Sequence, residues 1–206
     1  MKTEHIIYAA YMGFFLLLVG SAFLVPILAF NQDMSAAYNA FGYTCHQKIS
    51  RSICIFSDGK IGDCTPQTGT YVNTRIDRAT IKVENGSVSG YKIPVCARDV
   101  GIYGALLLGG LIYPFVKKMD NRHVYPAIFL ILAILPLGLD GTIQLLSEFG
   151  FLPFVYESTN LVRLLTGSLA GFVSAFYAIP ILMNMFGSGS MRSQARDLKQ
   201  NKTKKS

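Results

Sequence analysis

The chain has 206 residues, of which 51% are hydrophobic and 15% are charged, and its formal net charge is +7. Soluble globular domains carry about 25% charged residues, so this composition argues against a soluble protein. Four windows are nearly free of charge, at about 6–30, 100–116, 125–147 and 161–186. Each approaches or exceeds the roughly 17–20 residues that cross a hydrocarbon core about 30 Å thick. The sequence therefore predicts a mainly α-helical integral membrane protein, a four-transmembrane-helix bundle.

The first window, 6–30, has two interpretations because Lys2 precedes it as in a secretory signal. A signal peptide has an apolar core of about 7–15 residues, which is shorter than this run. We therefore expect a retained transmembrane helix, with cleavage near Ser35-Ala36-Ala37 as the alternative. The other predicted helices span 98–116, 125–147 and 161–186. In the last of these, Gly167 and Gly171 form a small-x-x-x-small pair that indicates close helix packing.

The distribution of basic residues predicts the orientation, because Lys and Arg accumulate in short cytoplasmic loops. The link 117–124 contains Lys117, Lys118 and Arg122, whereas the link 148–160 contains no Lys or Arg. The tail 187–206 is basic as well. We therefore predict a multi-pass protein of the cell membrane with both termini cytoplasmic and with 31–97 and 148–160 outside. Such a tail is typical of contact with anionic lipid headgroups, and we expect no nucleic acid partner.

The long outer segment, 31–97, contains all four cysteines: Cys45, Cys54, Cys64 and Cys96. Disulfides persist in oxidising compartments, and four cysteines allow three complete pairings. We favour Cys45–Cys96 and Cys54–Cys64. The β-branched spacing over 70–95, with Asn85-Gly86 as a two-residue turn, predicts a β-hairpin in this loop, with room for a third strand. Asn85 also begins a glycosylation sequon, which a tight turn explains equally well.

Several motifs occur in order along the chain: Cys45-His46-Gln47, Arg51-Ser52, Pro94-Val95-Cys96-Ala97-Arg98, Gly101, Tyr103, Gly104, Leu139-Asp140-Gly141, Gln144, Glu157-Ser158-Thr159-Asn160, Arg163, Thr166-Gly167 and Gly171. With these residues the chain resembles domain-of-unknown-function family 2085, over about 41–175 apart from about 54–92. The resemblance implies a small prokaryotic multi-helix membrane protein without an established activity. One departure is Asp99, which stands where the family pattern has a second cysteine.

Polar residues inside membrane spans are costly and usually face the bundle interior. Here they concentrate in the outer half of the predicted bundle, where we predict a polar pocket of eight residues: Arg98, Asp99, Tyr103, Asp140, Gln144, Glu157, Asn160 and Arg163. In the structural interpretation Asp140 and Arg163 neutralise each other, and residues 157–160 cap the last helix. In the functional interpretation the residues line a binding pocket. For a reaction there, the acid–base candidates are Asp140, Glu157 and His46.

A metal site is the alternative to the Cys45–Cys96 disulfide, with Cys45, His46, Cys96 and Asp99 as the ligands. Two thiolates and an imidazole suit zinc or copper. Against this, adjacent Cys45 and His46 form an awkward chelate, and the chain has no C-x-x-C arm. The resemblance implies the same positions, with a Cys-His-Cys-Cys set in the family pattern.

Three classes of function follow. The first is a non-catalytic accessory or assembly subunit of a larger membrane complex of the respiratory or metal-dependent oxidase or monooxygenase type. The second is an enzyme for a lipid-linked or phosphate-bearing substrate at the outer leaflet, with Arg98 and Arg163 holding the phosphate. The third is an extracytoplasmic zinc- or copper-binding protein. A transporter that uses Asp140 is less favoured, because the inner half lacks polar residues for an exit path.

The orientation can be tested with two epitope tags, one after residue 206 and one between Asp58 and Gly59. We expect protease added to intact cells to remove the loop tag and to leave the terminal tag until the membrane is permeabilised. Loss of the terminal tag in intact cells would contradict the predicted topology.

Overall fold

The computed structural model describes residues 3–65, 80–85, 87–119 and 121–203, with only the backbone described for 85 and 187–203. Four long helices dominate it, α1 (Thr3–Leu28), α3 (Ala97–Val116), α4 (Ala127–Glu148) and α5 (Asn160–Thr203). All four are long and apolar enough to cross a membrane, α5 through its part Asn160–Phe186. The predicted windows thus each contain a helix, with ends within a few residues of those expected. The exception is α5, which continues through much of the basic tail.

The closest helix contact joins α3 and α5, and glycines make it possible. A β-carbon on Gly171 would lie 2.3 Å from the Ile102 carbonyl oxygen, and one on Gly167 would lie 2.4 Å from the Arg98 carbonyl oxygen. A β-carbon on Gly101 would likewise lie 2.5 Å from the Leu164 carbonyl oxygen of α5. Backbone therefore meets backbone along this seam, as the glycine pair predicts. Because Gly167 is one turn after Arg163, the seam also sets Arg98 and Arg163 at similar heights on facing helices.

Between α1 and α3 the chain forms a short helix, α2 (Ser35–Phe41), and a four-stranded antiparallel sheet. The strands are β1 (Ile53–Phe56), β2 (Ile61–Asp63), β3 (Lys82–Asn85) and β4 (Val88–Lys92), in the order β2-β1-β4-β3. Asn85 pairs with Val88, so the predicted hairpin turns where Asn85-Gly86 indicates. The strand-like residues Val72 and Ile76 lie outside the described residues. The helix α2 and the strands β1 and β2 are additions to the predicted loop.

Buried hydrogen bonds attach this segment to itself and to the helices. The Tyr38 hydroxyl donates to the Lys92 carbonyl (2.6 Å), the Lys92 ammonium donates to the Gln47 carbonyl (2.8 Å), and the Gln47 amide donates to the Tyr38 carbonyl (2.6 Å). At the start of α5, the Asn160 amide donates to Asp63 (3.0 Å). The sheet therefore covers one end of the four-helix bundle, which we call the loop end. The other end carries the α3–α4 link.

Gly171→Ala should lower stability, because the new methyl group would force α3 and α5 apart; overpacking of this kind costs about 1–3 kcal/mol. Gly104→Ala is the matched control, since its β-carbon would meet nothing within 4 Å. That change should be neutral or slightly stabilising, given the higher helix propensity of Ala. Thermal unfolding in mild detergent, followed by circular dichroism, compares the two. Equal stability of the two variants would contradict the close seam.

Candidate functional site

A cavity of about 510 Å³ lies at the loop end, between the segment after α2 and the ends of α3, α4 and α5. Most of its lining residues are polar, and four basic and two acidic side chains are among them. The lining residues are Thr44, Cys45, His46, Gln47, Lys48, Arg51, Cys96, Arg98, Asp99, Gln144, Leu145, Glu148, Phe149 and Arg163. Four of the eight residues of the predicted polar pocket line this cavity, namely Arg98, Asp99, Gln144 and Arg163, and the segment 44–51 supplies much of the remaining wall.

Two thiols and one carboxylate meet in the wall of this cavity. Cys45, Cys96 and Asp99 each place one ligand atom so that all three atoms lie within 4.8 Å of one another. The Cys96 sulfur lies 3.0 Å from a carboxylate oxygen of Asp99. Cys96 is the N-cap of α3 and Asp99 lies in its first turn. The spacing of three residues brings both side chains to one face of the helix.

The Cys45-His46-Gln47 motif brings the second thiol to this place. Gln47 has a positive φ of 51°, an unusual backbone conformation for a residue other than glycine. In this conformation its N–H joins the Cys96 N–H, which lies 3.2 Å from the Cys45 sulfur, in donating to that sulfur. Lys92 and Tyr38 hold Gln47 in position through the bonds described above. Strained conformations kept in this way are common at functional sites.

The two thiols differ in acidity because they share a hydrogen bond. Donation from the Cys96 thiol lowers the pKa of Cys45. The same hydrogen bond and burial raise the pKa of Cys96 far above its usual range, with Asp99 and the Cys45 thiolate adding charge repulsion. Cys45 therefore loses its proton first. Removal of the second proton needs a positive charge beside both sulfurs.

The cysteine predictions have different outcomes. Cys54 and Cys64 form a disulfide, as predicted. Cys45 and Cys96 are free thiols, so the structure lacks the predicted second disulfide. The sulfurs stand side by side in contact with Asp99 and without a covalent bond. The structure also separates His46 from the predicted metal ligands: it is exposed at the cavity and is not among the three residues that converge.

Asp140 pairs with Arg98 and not, as the sequence led us to expect, with Arg163. The Arg98 guanidinium donates to one carboxylate oxygen of Asp140, and the Tyr156 hydroxyl donates to the other at 3.0 Å. The expected pairing was wrong because sequence spacing gives height along a helix but not which helices are in contact. The hydrogen bond that the Tyr156 hydroxyl donates to Asp140 also raises the pKa of Tyr156.

Arg163 is almost completely buried, with 1% of its surface exposed, and it belongs to a second group that includes Arg51. One oxygen of Glu157 lies 3.4 Å from Arg51 and 3.5 Å from Arg163. With its oxygen facing the guanidiniums, the Gln144 amide accepts from Arg51 at 2.8 and 3.1 Å and from Arg163 at 2.7 Å. A neutral amide is thus the nearest acceptor for two cations.

The sequence reasoning missed three residues that build this network: Arg51, Lys48 and Glu148. Glu148 pairs with Lys48 at 2.5 Å and with Arg51 at 3.3 Å. One signal was available for Glu148, which follows Gln144 by four residues and therefore shares its helix face. The only sequence signal for Arg51 was its place in the Arg51-Ser52 motif, and nothing in the local sequence indicated Lys48.

The remaining predicted residues have supporting positions. Glu157, Asp140 and Asn160 hold the cavity's arginines, and the Asn160 oxygen accepts from Arg163 at 3.3 Å. Tyr103 instead packs against the apolar cluster that contains Cys45 and Ile93. The predicted capping segment is present: the Thr159 hydroxyl accepts from the Val162 N–H at 3.3 Å.

Comparison with known proteins supports the resemblance noted in the sequence. The sequence model of a family described as "Predicted membrane protein (DUF2085)" matches residues 82–177. The chain is also 32% identical over 179 residues to the uncharacterised protein MJ1492 of Methanocaldococcus jannaschii, covering 83% of this chain and 89% of that protein. This chain belongs to the DUF2085 family. No solved structure matches it.

Within the DUF2085 match lie Cys96, Asp99 and most of the arginine network. The segment that contributes Cys45 and Arg51 precedes the matched residues. The family therefore identifies a predicted membrane protein of unknown function, and only the cavity itself indicates an activity.

The pairing of Asp140 can be tested with double-mutant cycles. Asp140→Asn should cost about 1.5–3 kcal/mol, the range for hydrogen bonds to charged groups. Combined with Arg98→Gln it should show a coupling energy of about 0.5–3 kcal/mol. The matched cycle with Arg163→Gln should show a smaller coupling, because Arg163 is held by Glu157, Gln144 and Asn160. Chemical denaturation in detergent measures both cycles; a larger coupling to Arg163 would contradict the observed pairing.

Proposed function

We propose that this DUF2085 protein is a multi-pass membrane protein that binds one zinc ion through Cys45, Cys96 and Asp99 on the extracytoplasmic side. The observation that carries the proposal is the convergence of their ligand atoms within 4.8 Å. The orientation is inferred from the basic link 117–124, from the absence of Lys and Arg in the link before α5, and from the placement of the cysteines.

The spacing of the three atoms suits a zinc ion. Zinc lies about 2.3 Å from thiolate sulfur and about 2.0–2.2 Å from carboxylate oxygen in tetrahedral geometry. Two such sulfurs are then separated by about 3.8 Å, which is inside the observed limit. The sulfur–oxygen contact of 3.0 Å would lengthen slightly on binding. The backbone N–H groups of Gln47 and Cys96, which donate to the Cys45 sulfur, are of the kind that stabilise a metal-bound thiolate.

The donor types favour zinc over copper. Cuprous ions prefer sulfur ligands alone, whereas zinc accepts sulfur, nitrogen and oxygen together. Asp99 stands where the family pattern has cysteine, so relatives with that pattern would offer three thiolates. The fourth coordination position would face the cavity, as in sites that hold an exogenous ligand.

The accessory-subunit role and the lipid-linked enzyme role remain predictions. Large apolar side chains are exposed along the four helices, including Leu17 (75%) and Phe14 (61%) on α1. This surface suits lipid and would equally suit a helical partner. Asp140 and Glu157, two of the acid–base candidates, are engaged in ion pairs. Those contacts favour binding over catalysis as the role of the cavity. Contact of the basic tail with anionic headgroups is likewise a prediction.

The zinc site can be tested on protein purified in gentle detergent without chelator. We expect about one zinc per chain by elemental analysis, the stoichiometry of a single tetrahedral site. Cys96→Ser should abolish stoichiometric zinc, and Asp99→Asn should weaken binding more than the roughly 10–100-fold that loss of an outer-shell partner costs. Asp99→Cys, which restores the family residue, should bind zinc at least as tightly as the natural chain.

The matched control is the double change Cys54→Ser with Cys64→Ser, which removes an equal number of sulfurs outside the site and should keep the zinc. His46→Ala should also keep it. Recovery of a Cys45–Cys96 disulfide peptide together with zinc far below stoichiometry would overturn the proposal. The two cysteines would then form a structural disulfide that joins the segment after α2 to the start of α3.

A further inference from the structure

Two arginines in the cavity wall have unused hydrogen-bond donors. Among the described residues, Nε of Arg98 and Nε of Arg163 are buried and have no partner. Buried polar atoms are nearly always satisfied in native proteins, so each exception needs an explanation. Arg163 has 1% of its surface exposed, yet it lines the cavity. Bulk water therefore does not reach its unpartnered donor.

The existing acceptors around Arg51 and Arg163 do not match the charge of the two guanidiniums well. Arg51 and Arg163 share the neutral Gln144 amide as their nearest acceptor. Their contacts with carboxylates are longer, at 3.3 to 3.5 Å, whereas charge-assisted hydrogen bonds are usually about 2.7–2.9 Å. The carboxylates Asp99 and Glu148 also line the cavity, against four basic side chains. Asp140 and Glu157 pair with the arginines of the cavity as well, so four carboxylates match the four basic side chains in number, and what remains is the pair of unused donors.

We propose that the cavity binds a phosphate group between Arg51, Arg98 and Arg163. A phosphate offers several acceptor oxygens, and the planar fork of each guanidinium matches two of them. The anion would accept hydrogen bonds from the unused Nε donors. It would also place a full negative charge beside Arg51 and Arg163, whose nearest acceptor is now the neutral Gln144 amide. The inference goes beyond the zinc proposal, since its residues are different and it requires no metal.

One wall of the cavity indicates where such a ligand comes from. Leu145 and Phe149 line it, and Phe149 is 69% exposed. The chain continues with Phe151 and Phe154, which are 75% and 56% exposed. An exposed aromatic link next to a membrane-crossing helix is typical of the membrane–water interface. The polar cavity therefore has an apolar side at the level of lipid headgroups. This placement favours a phosphate carried by a lipid over free phosphate, although both present the same group to the arginines.

Binding can be measured by calorimetry on the full chain in neutral detergent, with inorganic phosphate and dioctanoyl phosphatidic acid as separate probes. We expect saturable binding, tighter for the lipid. Arg51→Gln should weaken it at least about tenfold, as expected for loss of a charge-assisted contact. Arg163→Lys retains the charge but removes the fork and should also weaken it. Arg122→Gln, at the opposite end of the bundle, is the matched control and should leave binding unchanged.

Each outcome decides the matter. Arginine-dependent binding of both probes supports the site, and the ratio of the two affinities identifies the source of the phosphate. Absence of saturable binding to either probe by folded protein would overturn the inference. So would unchanged affinity in both Arg51→Gln and Arg163→Lys. Cys96→Ser, which should lack zinc, should still bind phosphate in an arginine-dependent way, so failure of the zinc proposal and failure of this one are distinguishable.

Discussion

The direct backbone contact between α3 and α5 is the constraint on which the loop end depends. Because Gly167 and Gly171 have no side chain, the carbonyl groups of Arg98 and Ile102 occupy the space where their β-carbons would be. Such small-residue contacts let helices associate closely where apolar burial alone offers little driving force. Because the seam continues to the start of both helices, it also places the arginines of α3 and α5 next to each other.

Two adjacent guanidiniums in this part of the bundle need compensation, which comes from α4 and from the link before α5. Asp140 and Gln144 come from α4, Glu157 from the link before α5, and Glu148 from the end of α4. The segment after α2 adds Arg51, so the network links the helices to the covering sheet. Removing one partner of a buried charged group is costly. The arginines that could hold a ligand therefore also hold the loop end together.

The thiol cluster depends on the same docking of the loop. Cys96 and Asp99 belong to the first turn of α3, but Cys45 comes from a segment more than 50 residues earlier, held by the left-handed Gln47. The bonds of Gln47 with Tyr38 and Lys92 keep that segment against β4. The two proposed sites share the cavity wall but use different residues. The thiol cluster offers thiolate and carboxylate ligands for a cation, and the arginine group offers hydrogen-bond donors for an anion.

The sequence alone determined the features that depend on local pattern: four apolar helices, the glycine seam, the Asn85-Gly86 hairpin, the Cys54–Cys64 disulfide, the family, and polar residues concentrated at one end. Hydropathy, turn chemistry and short-range spacing act within a few residues, so a linear pattern is enough to show them. Only the tertiary structure decided that Asp140 meets Arg98, that His46 stays outside the cluster of two thiols and one carboxylate, and that Lys48 and Arg51 line the cavity. Those contacts depend on how the helices are rotated against each other and how the loop folds back. These arrangements are set by packing between residues about 40 to 110 positions apart, for which the sequence carries no periodic signal.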